Sequence, residues 1–463
     1  MSPDLLQLAR QRSCLRKTEP VKTQVLRTMT WATMPSQDRA QLLQRGLHDI
    51  FAPSLRASIE RIVDDVRLHG DEAVCRALRD FDGVDVSPDR LRVSDEEFAA
   101  ADRLVDDMLG AAIDHMITNV ARFNEEVMAR HGQDWWCESE PGLFIGEKVT
   151  PISSTALFCP AGKASYPSVL AQLGGPAVVA GVPQTVVITP PTPRSSGAVD
   201  PATLVVAQRL GLRNVFRVNG PAGVAAVAFG TEHIPKVVKV VGPGSPAVTC
   251  AQVEVQRHGC STMMLLGPTE SLVIADESAD PVRLAADLLI EAEHGTDSTV
   301  VLVALSGSVA SSVDAELTRQ IAALPARRAE AARASLSVNG GCVLVDSLEE
   351  ACHVANEFAP EHLQVAIADP FQALPLLRNA GEILLGQDTP FAAANFVIGC
   401  PASLPTSGFA AVSSGITAEA FLKRTALAQT STEALKRMAP SILALADHEG
   451  FPAHANALRL RFP

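Results

Sequence analysis

Glu291 and His294 stand three residues apart in LLIEAEHG, a stretch with the apolar spacing of a helix close to its end. On a helix that separation puts a carboxylate and an imidazole on one face, where both can converge on one cation, and zinc accepts such mixed ligands. A solvated helix end, with a histidine complementing the helix dipole, carries the same letters. Glu361 and His362 lie in Ala359-Pro360-Glu361-His362-Leu363, between a helical stretch and the strand-like HLQVAI. An acid and an imidazole at a strand mouth suit proton transfer, because histidine titrates near neutrality and can take the proton of an alcohol. Neighbours in an extended segment point to opposite sides, so the two need not serve one proton. A proline-ended helix with a surface acid and imidazole fits equally well. His454, in Glu449-Gly450-Phe451-Pro452-Ala453-His454, reads singly as a solvent-exposed tail residue.

Two Gly-rich turns follow strand-like runs, Phe158-Cys159-Pro160-Ala161-Gly162 and Val241-Gly242-Pro243-Gly244-Ser245. Backbone amides in such turns approach a phosphate closely, as a dinucleotide requires. Neither is the G-x-G-x-x-G pattern, and tight structural turns account for them as well.

The elements that must hold these residues follow from periodicity. Residues 1–53 are polar with weak helical spacing and prolines at 20, 35 and 53, which predicts a peripheral arm. From Ser54 to Phe123 apolar residues recur at helical spacing, as in Ile59, Ile62, Val63 and Val66. Beyond Val149 the texture changes to short β-branched runs such as TVVIT and KVVKVV, alternating with helical stretches, the pattern of βαβ units. The expected architecture is α/β, with two Rossmann-like doubly wound domains, one inserted in the other. Residues 54–157 and 269–416 form the first domain, 158–268 the inserted dinucleotide-binding-like domain, and 417–463 a helical tail.

Composition narrows the function class. With 463 residues, 47% of them hydrophobic and 20% charged, the chain fills two or three cores and is not a disordered polymer. A net charge of -13 argues against a binder of phosphate backbones and for a small-molecule partner. Nine cysteines without a C-x-x-C pair suit reduced thiols in the cytoplasm. The most apolar stretch, Val169 to Ile188, is broken by glycines and prolines and does not read as a membrane span.

Several segments together resemble the histidinol dehydrogenase family: VDDVRLHGDEAV (63–74), VVGPGS (240–245), LGPTESLVIADESADP (266–281), ADLLIEAEHG (286–295), ANEFAPEHLQV (355–365) and EGFPAH (449–454). The resemblance runs from about Ile62 to the C-terminus. It implies an NAD-linked oxidation of an alcohol to an aldehyde and onward to a carboxylate at a zinc site. His362 would be the base on the alcohol and Glu361 would activate water for the second oxidation. The zinc positions fall on Glu291, His294, Asn395 and His454, where the family carries Gln, His, Asp and His. A Gln and an Asp have become a Glu and an Asn, so the set keeps one carboxylate and one amide with its total charge unchanged. Because a divalent ion in a partly buried pocket needs a compensating anion, this exchange implies a retained metal, against a metal-free reading in which Asn395 is no ligand.

The substrate region departs further. Thr269 stands for a substrate-contacting Ser, Glu449 matches the family's amine-facing carboxylate, and Ala402 replaces a His in the loop motif. Three NAD-contacting polar residues have become Phe158, Ala222 and Ser245. The expectation is a zinc-dependent, NAD-linked dehydrogenase of a small polar alcohol, with histidinol not assumed and a homodimer in which the tail of one subunit completes the other's site. The alternatives are a sulfonated-diol dehydrogenase and a non-catalytic metal- or ligand-binding relative.

Overall fold

The computed structural model describes residues 24–45, 52–161, 165–192, 195, 197–263 and 267–462. Its strands, in chain order, are β1 (Thr28–Thr30), β2 (Trp135–Glu140), β3 (Leu143–Pro151), β4 (Ser154–Phe158), β5 (Gln184–Thr189), β6 (Val215–Arg217), β7 (Val240–Val241), β8 (Glu270–Ala275), β9 (Thr299–Ala304), β10 (Gly341–Leu344), β11 (His362–Ala366), β12 (Glu382–Leu385) and β13 (Leu422–Thr430). They form two parallel sheets, ordered β6-β5-β4-β7 and β1-β10-β9-β8-β11-β12, and a three-stranded sheet ordered β13-β3-β2. The protein is thus a mixed α/β fold.

Both parallel sheets are buried on both faces, which is why their strands read as unbroken apolar runs. In the smaller sheet Ala156, Phe158, Val186 and Ile188 enter one core, while Leu157, Cys159 and Val187 enter another on the opposite face. The larger sheet divides in the same way. Val273, Ala275, Val300 and Leu302 face one side, and Leu272, Ile274, Val301 and Val303 face the other.

Three expectations about the elements need correction. The helical segment 54–131 packs on the smaller sheet rather than on the larger one, and of residues 269–416 its cores include only Ile416. Ile59, Val63 and Val66 of Pro53–Ala77 pack with Phe158 and Val240, and Ile113, Met116 and Val120 of Asp107–His131 pack with Leu157 and Val187, so these helices cover the smaller sheet. An apolar stripe tells a helix to bury one face but not against which sheet. Second, the arm expected over 1–53 is not peripheral where it is described; residues 1–23 and 46–51 lie outside the described residues. Thr28–Thr30 is the edge strand β1, parallel to β10, and Trp31 and Leu42 are buried in the core of the larger sheet. Third, after a single 3-10 turn, Ala418–Phe421, the tail runs as a nine-residue strand, β13, antiparallel to β3, before its helices Thr432–His448 and Pro452–Arg459. No residue of β13 is fully buried, so it lacks the alternation that marks a half-buried strand and is specified by its partner.

Strand order leaves a crevice at each point where the chain reverses direction across a sheet. In the smaller sheet this lies at the carboxyl ends of β4 and β7, the positions of the two Gly-rich turns. Gly242 lies so close to β4 that a Cβ there would sit 2.2 Å from the Phe158 carbonyl oxygen, which fixes glycine at that turn.

Arg45 ties the N-terminal segment to the larger sheet. Its guanidinium lies 2.9 Å from Glu270 at the start of β8, with both side chains at most 6% exposed, and stacks over the Phe358 ring. Arg45→Ala strands a buried carboxylate and is expected to cost about 3–5 kcal/mol. Replacing the pair together, Arg45→Met with Glu270→Leu, should recover much of that loss. Urea unfolding of both variants checks it.

Candidate active site

Thr269, Glu270, Glu361, His362 and Glu382 lie at or just before the amino ends of β8, β11 and β12. These strands are neighbours in register, His362 opposite Ser271 on one side and Glu382 on the other. Three adjacent strand starts therefore deliver three acids and an imidazole to one edge of the sheet. Helix Pro281–Ala292, capped by Asp280, packs Leu284 and Leu288 onto the core and carries Glu291 in its last turn, within reach of that edge.

Glu291 is 1% exposed and is the hub of the cluster. One carboxylate oxygen accepts from the Asn395 amide at 3.0 Å, and the other accepts from the Thr269 hydroxyl at 3.0 Å and lies 3.5 Å from His294 Nε2. Burial opposes its charge, yet His362, His294 and these hydrogen bonds hold its carboxyl below the usual range. A carboxylate at the negative end of a helix gains nothing from the dipole, so it depends on cations. Glu291, His294 and Asn395 all line one cavity of about 1460 Å³.

Thr269 also lies 2.9 Å from Glu361 Oε2, which accepts from the Glu270 amide at 3.1 Å. One hydroxyl proton cannot serve two carboxylates, so the bridge is complete when Glu361 is protonated and Thr269 donates to Glu291. In keeping with this, burial pushes the Glu361 carboxyl above its usual range; His362 opposes the shift and Glu291 reinforces it. His362 is 3% exposed, with Nε2 3.7 Å from Glu361 Oε1, Nδ1 2.5 Å from Glu382 Oε1, and its ring edge-on to Phe391. Burial disfavours its charge, but Glu361, Glu382 and Glu291 outweigh that and raise its proton affinity.

The cavity is also lined by Pro160 and Pro243, from the turns after β4 and β7, and by Ala402, Ser403 and Thr406. It joins the amino edge of one sheet to the carboxyl-end crevice of the other.

Of the ligand set read from the sequence, Glu291, His294 and Asn395 come together and His454 does not. In the chain itself His454 and Glu449 are exposed, His454 against Phe451 at 5.0 Å, and neither lines the cavity. Phe158 and Ala222, read as cofactor contacts, have their side chains in the core of the smaller sheet, and Ser245 is an exposed residue at the start of helix Pro246–Gln256. An apolar residue at the end of a buried strand goes to the core, so a nucleotide would have to be held by the turns instead. Glu382 was not singled out from the sequence, although an acid at the head of the apolar run GEILLG is itself a signal. Among the described residues, Asp71, Glu232 and His233 also cluster, but Asp71 is occupied by Thr231 and His233 in tying down their loop, and none of the three lines the cavity.

The profile of the histidinol dehydrogenase family matches residues 48–462. The chain belongs to this family. It is 39% identical over 436 residues to the histidinol dehydrogenase of Synechocystis sp., covering 94% of this chain and 99% of that one. It is 38% identical to a histidinol dehydrogenase homolog of Colwellia psychrerythraea, over 92% of this chain and 94% of the relative. The crystal structure of histidinol dehydrogenase from Elizabethkingia anophelis superposes with a TM-score of 0.89 at 30% identity, over 95% of this chain and 99% of that one. The resemblance seen in the scattered segments thus extends to the whole fold.

Thr269→Val keeps the shape and removes the hydroxyl shared by Glu361 and Glu291. A loss of about 1–3 kcal/mol is expected in chemical unfolding, with Thr269→Ser closer to the parent.

Proposed function

We propose that the protein is a zinc-dependent, NAD-linked dehydrogenase that oxidises a small polar alcohol. The observation that carries this reading is a buried imidazole, His362, set between Glu361 and Glu382 in the cavity that Glu291, His294 and Asn395 also line. His362 takes the hydroxyl proton of the substrate at Nε2. The turns after β4 and β7 would hold a nicotinamide cofactor, which when bound would supply the hydride acceptor. Glu361 then directs water if the aldehyde is carried on to the acid.

Glu291, His294 and Asn395, with His454 of a second copy, would hold the zinc. The buried carboxylate at a helix C-terminus and the imidazole and amide beside it fit a cation. When bound, the metal supplies Lewis-acid polarisation of the substrate oxygen. A homodimer in which the tail reaches the partner's cavity accounts for the exposure of Glu449, His454, Phe451 and Leu445. Thr269 lines the cavity beside Glu361, where the substrate would lie, while Ala402 gives that wall no imidazole, which favours an alcohol other than histidinol. A sulfonated diol is one such substrate. The described cysteines are all free, and no described helix is long and apolar enough to cross a membrane, in keeping with action in the cytoplasm.

A panel of amino alcohols and diols, followed by absorbance of reduced nicotinamide with mass spectrometry of the products, tests the reading. Turnover on a member of the panel is expected, and His362→Asn should abolish it while metal content stays at the parental level. His362 must be neutral to accept a proton and its neighbours raise its proton affinity, so the rate should climb as pH rises above neutrality. Bound zinc with no nicotinamide reduction on any substrate would favour a binding protein, and loss of metal in His362→Asn would mean that the roles are misassigned.

A further inference from the structure

Glu382 has no role in the mechanism above, yet it makes the shortest polar contact that His362 has, 2.5 Å from carboxylate to Nδ1. The placement is built by the sheet. Glu382 and His362 are direct partners across the parallel pair β11 and β12, and the Glu382 amide donates to the Glu361 carbonyl at 3.1 Å. The residue before it, Gly381, lies so close to β11 that a Cβ would stand 2.5 Å from that same carbonyl oxygen. Glu382 is 8% exposed, and its second oxygen accepts from the Cys400 thiol at 3.3 Å. Burial and Glu382 together push that thiol up to about 12, so Cys400 stays a donor. Both carboxylate oxygens are thereby assigned, one to a thiol and one to the ring.

An ionised carboxylate only accepts, so the nitrogen beside it must carry the proton. We propose that Glu382 is the positioning residue of this site: it accepts a hydrogen bond from the Nδ1–H of His362 and fixes the ring so that Nε2 is the nitrogen offered to the cavity. Nε2 lies 3.7 Å from Glu361, too far for a hydrogen bond, and is left free to take a substrate proton. The charged groups facing the ring are Glu361, Glu382 and Glu291, and the Phe391 ring closes another side. Of these only Glu382 binds Nδ1. A carboxylate behind a histidine sets its tautomer and raises its basicity, as in hydrolytic triads. Nothing in the bare spacing of Glu361 and His362 requires this third group. The proposal rests on the reading of His362 as the base.

The test uses the full chain carrying Glu382→Gln or Glu382→Asp. In histidine-labelled protein, the His362 ring signal, assigned by its absence in His362→Asn, is titrated by NMR, and kcat and KM are measured against pH on whichever alcohol is turned over. Glu382→Gln removes a negative charge from the ring, so the protonation midpoint should fall by about one pH unit or more. The acid limb of kcat should move to lower pH with it, and kcat at its plateau should fall about 100-fold with KM nearly unchanged. Glu382→Asp should restore most of both. If Glu382→Gln fails to fold, Glu382→Ala takes its place, since it too removes the negative charge and must move the midpoint downward. An unmoved midpoint in a folded variant that lacks the carboxylate overturns the proposal, as does a loss of kcat that is uniform across pH. The NMR arm needs no turnover, so a shifted midpoint in a protein that oxidises no alcohol would sustain the pair and overturn the proposed function.

Discussion

Everything at this site follows from burying carboxylates together at one edge of a sheet. Glu270, Glu291, Glu361 and Glu382 are each less than a tenth exposed. A buried anion without compensation costs several kcal/mol, so each must be answered by a specific partner. Glu270 has Arg45, Glu382 has His362 and Cys400, and Glu361 has the Glu270 amide and meets burial by holding a proton toward Thr269. Glu291 has two neutral donors and a half-exposed histidine. With His362 nearby these hold it in the charged form, and it faces the cavity.

The fold meets this demand with two sheets used at opposite ends. The carboxyl ends of β4 and β7 open the crevice usual for nucleotides in doubly wound sheets. The larger sheet contributes its amino edge, where β8, β11 and β12 begin side by side. Starting strands are well suited to holding charged groups because each side chain stands next to a fixed neighbour across the ladder. The Arg45–Glu270 pair and the hydrogen bond from the Ser407 amide to Glu270 then lock the N-terminal segment and the 403–408 loop against that edge.

Much of this was legible in the sequence, for identifiable reasons. Doubly buried strands announce themselves as apolar runs, so the alternation of strands and helices from Val149 onward was readable, as was the family from segments such as ANEFAPEHLQV. The three-residue step from Glu291 to His294 gave their shared face directly. What escaped was set by tertiary contact. Thr28–Thr30 is too short to show a period, β13 has no buried face to show one, and the helices of 54–131 carry no label for the sheet they cover. Glu382 escaped because it meets His362 only through cross-strand register. Phe158 and Ala222 were assigned to a ligand by likeness to the family, whereas their apolar side chains follow the rule for strand and helix interiors and enter the core. The tail residues Glu449 and His454 stand outside the cavity of their own chain, and no reading of one chain's contacts supplies what would bring them to it.

The central claim is that the anion of a metal site has moved from position 395 to position 291. Zinc content per protomer, measured by mass spectrometry on the dialysed protein, addresses it through three variants: Glu291→Gln, Asn395→Asp, and the two together. The account predicts near-stoichiometric zinc in the parent, loss in Glu291→Gln, and recovery in the double variant, in which the carboxylate stands on the other side of the same site. A parent without zinc, or a double variant as empty as Glu291→Gln, would contradict it.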